Sequence, residues 1–175
     1  VSRGFLQRRI LAKYRKAIVV HRLSGYIFFG SAVSILDTIK ASIKVHDESD
    51  EASSMSESEL EARRRRSSTW PEKTNACEKE EETLTHFLLL DFDVVNGVDA
   101  TAARSLFVTL VQTCQNYGIT LVTTGLAAET KKLLDCHGVT NFSCFQDFKC
   151  LDEGLQFCED SLLAQIDPNL HPQRL

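Results

Sequence analysis

No stretch of this chain approaches the roughly 20 consecutive apolar residues that a helix needs to cross a bilayer. The start shows no basic segment leading into an apolar run and a small-residue cleavage site, so no secretory leader is expected. Cysteines at metal-binding spacing are missing as well. Cys77, Cys114, Cys136, Cys144, Cys150 and Cys158 occur without a single Cys-x-x-Cys pair, which argues against a zinc site. They read instead as reduced thiols of a cytosolic protein, buried as small hydrophobes. No metal and no cofactor are expected. Acids are absent from the first 16 positions, which hold the bases Arg3, Arg8, Arg9, Lys13, Arg15 and Lys16. The first residue is Val1 rather than Met, and the chain reads as a fragment of something longer.

What is present fits one soluble domain. The 175 residues are 43% hydrophobic and 25% charged, the balance of an average globular protein. The net charge of −4 is unevenly spread, because residues 46–83 carry twelve acids against six bases. That segment is rich in Ser and Glu, holds few apolar residues, and cannot bury enough surface to offset the entropy of ordering. It reads as a disordered charged insertion within one domain, since the roughly 30 structured residues before it are too few to hold a core. Its run Arg63-Arg64-Arg65-Arg66 lies among those acids, so nucleic acid is not an expected partner. The run places Arg-Arg-x-Ser before both Ser67 and Ser68, which makes them candidate sites for a basic-directed kinase.

Periodicity and turn chemistry set out the elements. Ala17–Leu23 and Tyr26–Phe29 read as two short strands joined through Ser24-Gly25 in a tight hairpin. Ser31 then caps a helix whose apolar positions are Val33, Leu36, Ile39 and Ile43. After the insertion, His86–Val95 is a strand buried on both faces, because Phe87-Leu88-Leu89-Leu90 does not alternate. Ala100–Tyr117 is a helix with Leu106, Phe107, Leu110, Val111, Cys114 and Tyr117 on one face, ended by Gly118. Ile119–Thr124 is a strand, Ala127–His137 a helix and Asn141–Phe145 a short strand. Asp152 caps a last helix closed by Pro168. The order β-α-β-α-β-α after the insertion predicts an α/β domain with a mostly parallel sheet, the hairpin adding an antiparallel pair.

Three aspartates in FLLLDFDVVNGVDATAARSL raise the question of catalysis. Asp91-Phe92-Asp93-Val94-Val95 resembles the nucleophile string of haloacid-dehalogenase-type phosphatases, which would act with Mg²⁺. The partners of that chemistry are missing: no acidic pair ends a later strand, and Lys131 and Lys132 lie within a helix. A response-regulator receiver needs an acidic pair after the first strand, where Leu23-Ser24-Gly25 stands. Asp99 has the simpler role of helix N-cap, its charge suited to the positive end of the helix dipole.

GYIFFGSA (Gly25–Ala32), LLLDFDVVNGVDATAARSL (Leu88–Leu106), GITLVTTGL (Gly118–Leu126) and LDEGLQFCEDSLL (Leu151–Leu163), in this order, resemble a STAS domain. That module is shared by bacterial anti-sigma-factor antagonists and the cytosolic C-termini of SulP-type anion transporters. The aromatic turn Tyr26–Gly30, the pair Glu159-Asp160 and the long insertion are similar to the transporter branch. The resemblance implies a STAS-like α/β fold: a mixed, mostly parallel sheet with helices mainly on one face. It divides the chain into a basic segment 1–16 following a membrane domain, a STAS domain 17–166 interrupted by 46–83, and a tail 167–175.

The function it implies is non-catalytic: assembly and regulation of a transporter of sulphate, bicarbonate or chloride, at the cytosolic face of a membrane. Implied partners are the membrane domain of the same chain and a second protomer. In the antagonist branch a Ser follows the loop Asp and is phosphorylated. Here Asp99-Ala100-Thr101-Ala102 puts Ala100 at that position and leaves only Thr101 with a hydroxyl, against a soluble antagonist-like switch. The Asp99–Ala102 loop is then expected as a contact surface, or as a weak anion or nucleotide site using backbone amides. The basic start is expected near lipid head groups, bases outward and apolar residues packed on the domain.

Overall fold

The computed structural model describes residues 3–43 and 84–166; the charged insertion and the C-terminal tail lie outside the described residues. Four strands, β1 (Ile18–Ile27), β2 (Phe87–Val98), β3 (Thr120–Thr124) and β4 (Phe145–Phe148), form one parallel sheet in the order β1-β2-β3-β4. Among the described residues five helices accompany them: α1 (Phe5–Lys13), α2 (Phe29–Ser42), α3, α4 (Ala128–Cys136) and α5 (Leu151–Ile166). Helix α3 runs from Ala100 to Asn116 and contains a π-helical stretch, Ala103–Val108, that sets Leu106 and Phe107 into the core.

The layers follow from handedness. Every crossover steps one strand in the same direction, and parallel crossovers are right-handed, so α2, α3 and α4 must cover the same face. On that face Phe92 and Phe107 meet with ring centroids 5.6 Å apart, and His21 Nε2 lies 2.7 Å from Ser42 Oγ. After β4 no further strand follows among the described residues, and α5 folds back over the opposite face. There it packs with α1 around Ala17, Phe87, Leu89, Val122, Cys158 and Leu162. Three of the five helices thus share a face, and β2 is enclosed by both layers from Phe87 to Phe92, each residue at most 2% exposed.

Several local expectations are corrected by this pairing. Ser24-Gly25 makes no hairpin: β1 runs straight through to Ile27 as a parallel partner of β2. Gly25 does adopt φ 75°, but it accompanies register shifts after Arg22 and after Gly25 rather than a reversal. β2 is two residues longer than β1 and absorbs the surplus at those bulges. Ser31 is not the cap of α2 but its third helical residue, and its hydroxyl bonds back to the backbone of Phe28. Val139–Asn141 forms a 3₁₀ turn, so β4 starts only at Phe145, opposite Leu121. Asp152 lies inside the first turn of α5, where Glu153 accepts from the Lys149 amide. Cys114 and Cys158 are buried as expected, with burial pushing both thiols up to about 12, whereas Cys136 and Cys150 are exposed. Cys77 lies outside the described residues.

The basic start is also arranged differently. Arg3 is 8% exposed, and its guanidinium reaches Glu159 at 2.5 Å and Asp160 at 2.6 Å on α5. Burial alone would lower the Arg3 pKa; the two carboxylates outweigh it and hold it raised. Leu11 and Tyr14 pack inward beside it, while Phe5 and Leu6 face outward.

Gly154 is where α5 approaches the sheet most closely. A Cβ there would stand 2.5 Å from Thr124 Cγ2 and 3.2 Å from Leu89 Cδ1. Thr124 is fully buried and its hydroxyl is engaged with Asp91, so its methyl cannot turn away. Gly154→Ala is therefore expected to destabilise by about 1–3 kcal/mol through overpacking, which exceeds the roughly 1 kcal/mol gained in helix propensity. Urea denaturation would check this, since a stabilised variant would contradict the packing.

Candidate functional site

Asp91 stands at the end of the doubly covered part of β2, and its carboxylate is fully engaged. Oδ2 accepts from Arg22 Nε at 2.8 Å; Oδ1 accepts from Thr124 Oγ1 at 3.3 Å and from the Asp93 amide at 3.2 Å. The residue is 1% exposed, while the side chain of its partner Arg22 is 63% exposed. This is what a carboxylate needs when it leaves a buried strand: a cation and hydrogen bonds in place of water. A cavity of about 220 Å³ opens beside it, with Arg22, Asp93, Cys150 and Asp152 on its walls. Three carboxylates, counting Asp91, face one guanidinium there, a charge balance that repels a phosphate ester.

The other parts of a phosphatase site lie elsewhere. Lys131 Nζ pairs with Asp147 Oδ2 at 2.7 Å. Asp147 is in register with Thr123, and Asp91 with Thr124, so the two aspartates point to opposite faces of the sheet. Among the described residues, no group of three or more His, Cys, Asp or Glu is placed to hold a metal ion. The string at Asp91 and Asp93 thus marks an internal ion pair and, at Asp93, an exposed residue within the strand.

Asp99 does more than cap one helix. Its backbone amide donates to Ile27 O at 2.9 Å, joining the ends of β2 and β1. One carboxylate oxygen accepts from the Ala102 amide in the first turn of α3; the other accepts from the Phe29 amide at the start of α2, at 3.2 Å. A single negative charge thus serves the positive ends of two neighbouring helices. The expected loop is assembled as a unit: Asp99 is half-buried, Ala100 and Thr101 are exposed, and Ala102 is buried. The Ala102 amide, one of three considered for an external anion, is already taken by the protein's own carboxylate.

Around this junction lies a surface that sequence reading left in the background. Tyr26 is 57%, Phe28 51%, Phe29 54% and Val33 50% exposed. Two of the rings lie over glycine backbone: a Cβ on Gly97 would meet the Tyr26 ring at 2.9 Å, and one on Gly30 the Phe28 ring at 2.7 Å. The detectable signal was the glycine paired with each aromatic, since a flat ring lying over backbone leaves room for nothing larger. Ser67 and Ser68 lie outside the described residues.

The sequence model of one family, described as STAS domain, matches residues 9–149. Compared by sequence with curated proteins, the chain matches none. Among solved structures it is similar to a sulfate transporter family protein from Wolinella succinogenes, at 16% identity and a TM-score of 0.50, over 84% of this chain and 88% of that one. It is also similar to SLC26A9, at 16% identity and a TM-score of 0.52, over 88% of this chain but 22% of that one. The murine Solute Carrier 26 family member A9 anion transporter, in its inward-facing state, aligns at 12% identity and a TM-score of 0.51, over 82% of this chain and 18% of that one. At these identities the likeness is one of fold, and the chain spans about a fifth of the two A9 structures.

Two outcomes follow from the site geometry. Asp99→Ala removes the acceptor of two helix starts and is expected to cost about 2 kcal/mol in chemical denaturation, with Asp99→Asn losing about half as much. A loss confined to a few tenths would mean that water serves the two amides equally well. Asp91→Ala is expected to destabilise by about 2 kcal/mol by leaving Arg22 and Thr124 without their acceptor. The parent protein with Mg²⁺ is expected to hydrolyse no phosphate ester above the buffer rate. Turnover abolished by Asp91→Asn would instead make Asp91 a nucleophile.

Proposed function

The chain belongs to the STAS domain family, and from that membership we propose that it is the cytosolic module of a SulP-like anion transporter, non-catalytic and concerned with assembly and regulation. The observation that carries the reading is the aromatic end of the domain, where Tyr26, Phe28 and Phe29 stand exposed beside the Asp99 junction. Clustered exposed aromatic rings are the composition of a protein contact, since each offers a large apolar area at the cost of few rotatable bonds. The partner we assign to this end, together with the exposed Ala100 and Thr101, is the membrane domain of the same polypeptide, and beyond it a second protomer.

We give the Asp99–Ala102 loop a contact role in preference to an anion or nucleotide site because Asp99 itself supplies the negative charge at both helix starts. Phosphorylation as in the antagonist branch has no acceptor at Ala100, which disfavours a soluble signalling switch. Ser67 and Ser68, behind four arginines, are the candidate modification sites through which charge on the insertion would be changed. No helix among the described residues is long and apolar enough to cross a membrane, so on this reading the anion pathway and its selectivity reside in the attached domain.

The reading is tested by the coding sequence upstream of Val1. A succession of apolar segments of about 20 residues supports it, and a soluble chain without them removes it. Within such a transporter, Phe28→Ser with Phe29→Ser is expected to reduce anion uptake or surface delivery several-fold while the isolated domain keeps its melting temperature. Unchanged uptake with correct delivery would take the contact role from this end.

A further inference from the structure

The order of the sheet leaves β1 at an edge. Its inner side is paired with β2 along Ile18–Ile27, and among the described residues no backbone hydrogen bond joins its outer side to another segment. The usual protections of an open edge are missing. The strand holds no proline and no lysine, and the surplus residues of the two bulges lie on β2. Arg22 spends its charge on Asp91 inside the sheet. Burial lowers the His21 pKa, which keeps that ring neutral at physiological pH. A long edge without net charge is a template for another strand.

The side chains of β1 are arranged evenly about Leu23. Val20 is 45% and Tyr26 57% exposed, three residues to either side of it. Arg22 and Ser24 are exposed one residue to either side, and the apolar Val19 and Ile27 stand four away. A groove of about 170 Å³ runs beside this edge, lined by Leu23 of β1 and by Ile35 and Ile39 of α2 among others.

We propose that the outer edge of β1 pairs antiparallel with β1 of a second copy of this chain, with Leu23 of each copy at the two-fold axis. Val20 of each copy then stands opposite Tyr26 of the other, Val19 opposite Ile27, and Arg22 opposite Ser24. Opposite residues of an antiparallel pair share a face, so exposed apolar side chains meet each other and the guanidinium meets a hydroxyl. His21 comes opposite Gly25, where a Cβ would meet nothing within 4 Å. A two-fold contact must be complementary to itself, and this distribution of residues is. Centring on Arg22 instead would set two guanidinium groups together and each Val20 against a serine. A strand of another protein gives no reason for the symmetry. The paired edges bury less than the roughly 800 Å² per partner of a standard interface, so the free protein is expected to associate weakly. Copies already held side by side would pair far more readily. The proposal deepens the second-protomer reading above and rests on it only for where two copies meet.

The test is sedimentation equilibrium of the 175-residue protein at low salt, from about 10 µM to about 1 mM. A monomer–dimer equilibrium is expected. Ser24→Asp puts a carboxylate opposite Arg22 of the other copy twice per dimer, and is expected to tighten association about fivefold. Ser24→Lys puts a cation there, and is expected to weaken it about fivefold. Both variants are expected to keep the parent's circular dichroism spectrum. A monomer at every concentration would overturn the proposal and leave the edge to a strand of another polypeptide. Association that runs beyond the dimer, or that responds alike to Ser24→Asp and Ser24→Lys, would overturn it as well. None of these failures bears on the transporter reading, which stands or falls on the upstream sequence and on anion uptake.

Discussion

Strand β2 is covered on both sides, and most of the architecture answers to that. Phe87 to Phe92 place alternate side chains on opposite faces, and each of the leucines at 88, 89 and 90 contributes about 1.5–3 kcal/mol only if its own face is sealed. One layer cannot do this. The crossover helices α2, α3 and α4 seal the face of Leu88, Leu90 and Phe92, and α5 with α1 seals that of Phe87 and Leu89. The close approach of α5 at Gly154, and the ion pairs that fasten Arg3 to the same helix, are means of holding the second layer down. Asp91 shows the cost of extending such a strand: the first charged residue to follow the leucines needs Arg22, Thr124 and a backbone amide to be tolerated.

Parallel strands all point one way, so the helices that follow them begin at one end of the sheet. β1 and β2 are neighbours, hence α2 and α3 start side by side and set two positive dipole ends close together. Asp99 neutralises both at once. That sharing explains why the loop is built from an aspartate between β2 and α3 and why an outside anion has less to offer there. The same end carries the exposed rings of Tyr26 and Phe28, each lying over a glycine, so charge is settled inside the junction and apolar area is left on its surface. The two outward features of the domain are thus of different kinds: an aromatic end at the strand termini, and an open strand edge along β1.

Much of this was legible in the sequence. The non-alternating run before Asp91 announced a strand buried on both faces, the apolar spacing after Asp99 announced α3, and the order of elements announced a mostly parallel sheet and, through the four quoted segments, the STAS fold. Asp99 as an N-cap was local chemistry and is present as read, although the second helix it serves, α2, lies some 70 residues away in sequence. Ser24-Gly25 could not be read correctly from neighbours alone. A glycine with positive φ serves a hairpin and a bulge equally well, and only the parallel pairing of β1 with β2 selects the bulge.

By itself the sequence determined the burial of β2 and of the α3 face from Leu106 to Cys114, because that pattern is a matter of period and composition; Val33, an apolar position of α2, is nevertheless 50% exposed. It also placed Asp99 at a helix start, though Ser31 and Asp152 fall inside the first turns of their helices rather than at the caps. The tertiary structure alone decided which charges meet. Whether Asp91 was a free nucleophile or half of an ion pair depended on Arg22 in the adjacent strand, 69 residues earlier. Whether Arg3 or Phe5 turned inward depended on Glu159 and Asp160, more than 150 residues further on. Local propensity is indifferent between those outcomes. The energy that separates them comes from desolvated charge, and the partners that compensate it are chosen by the packing of distant segments.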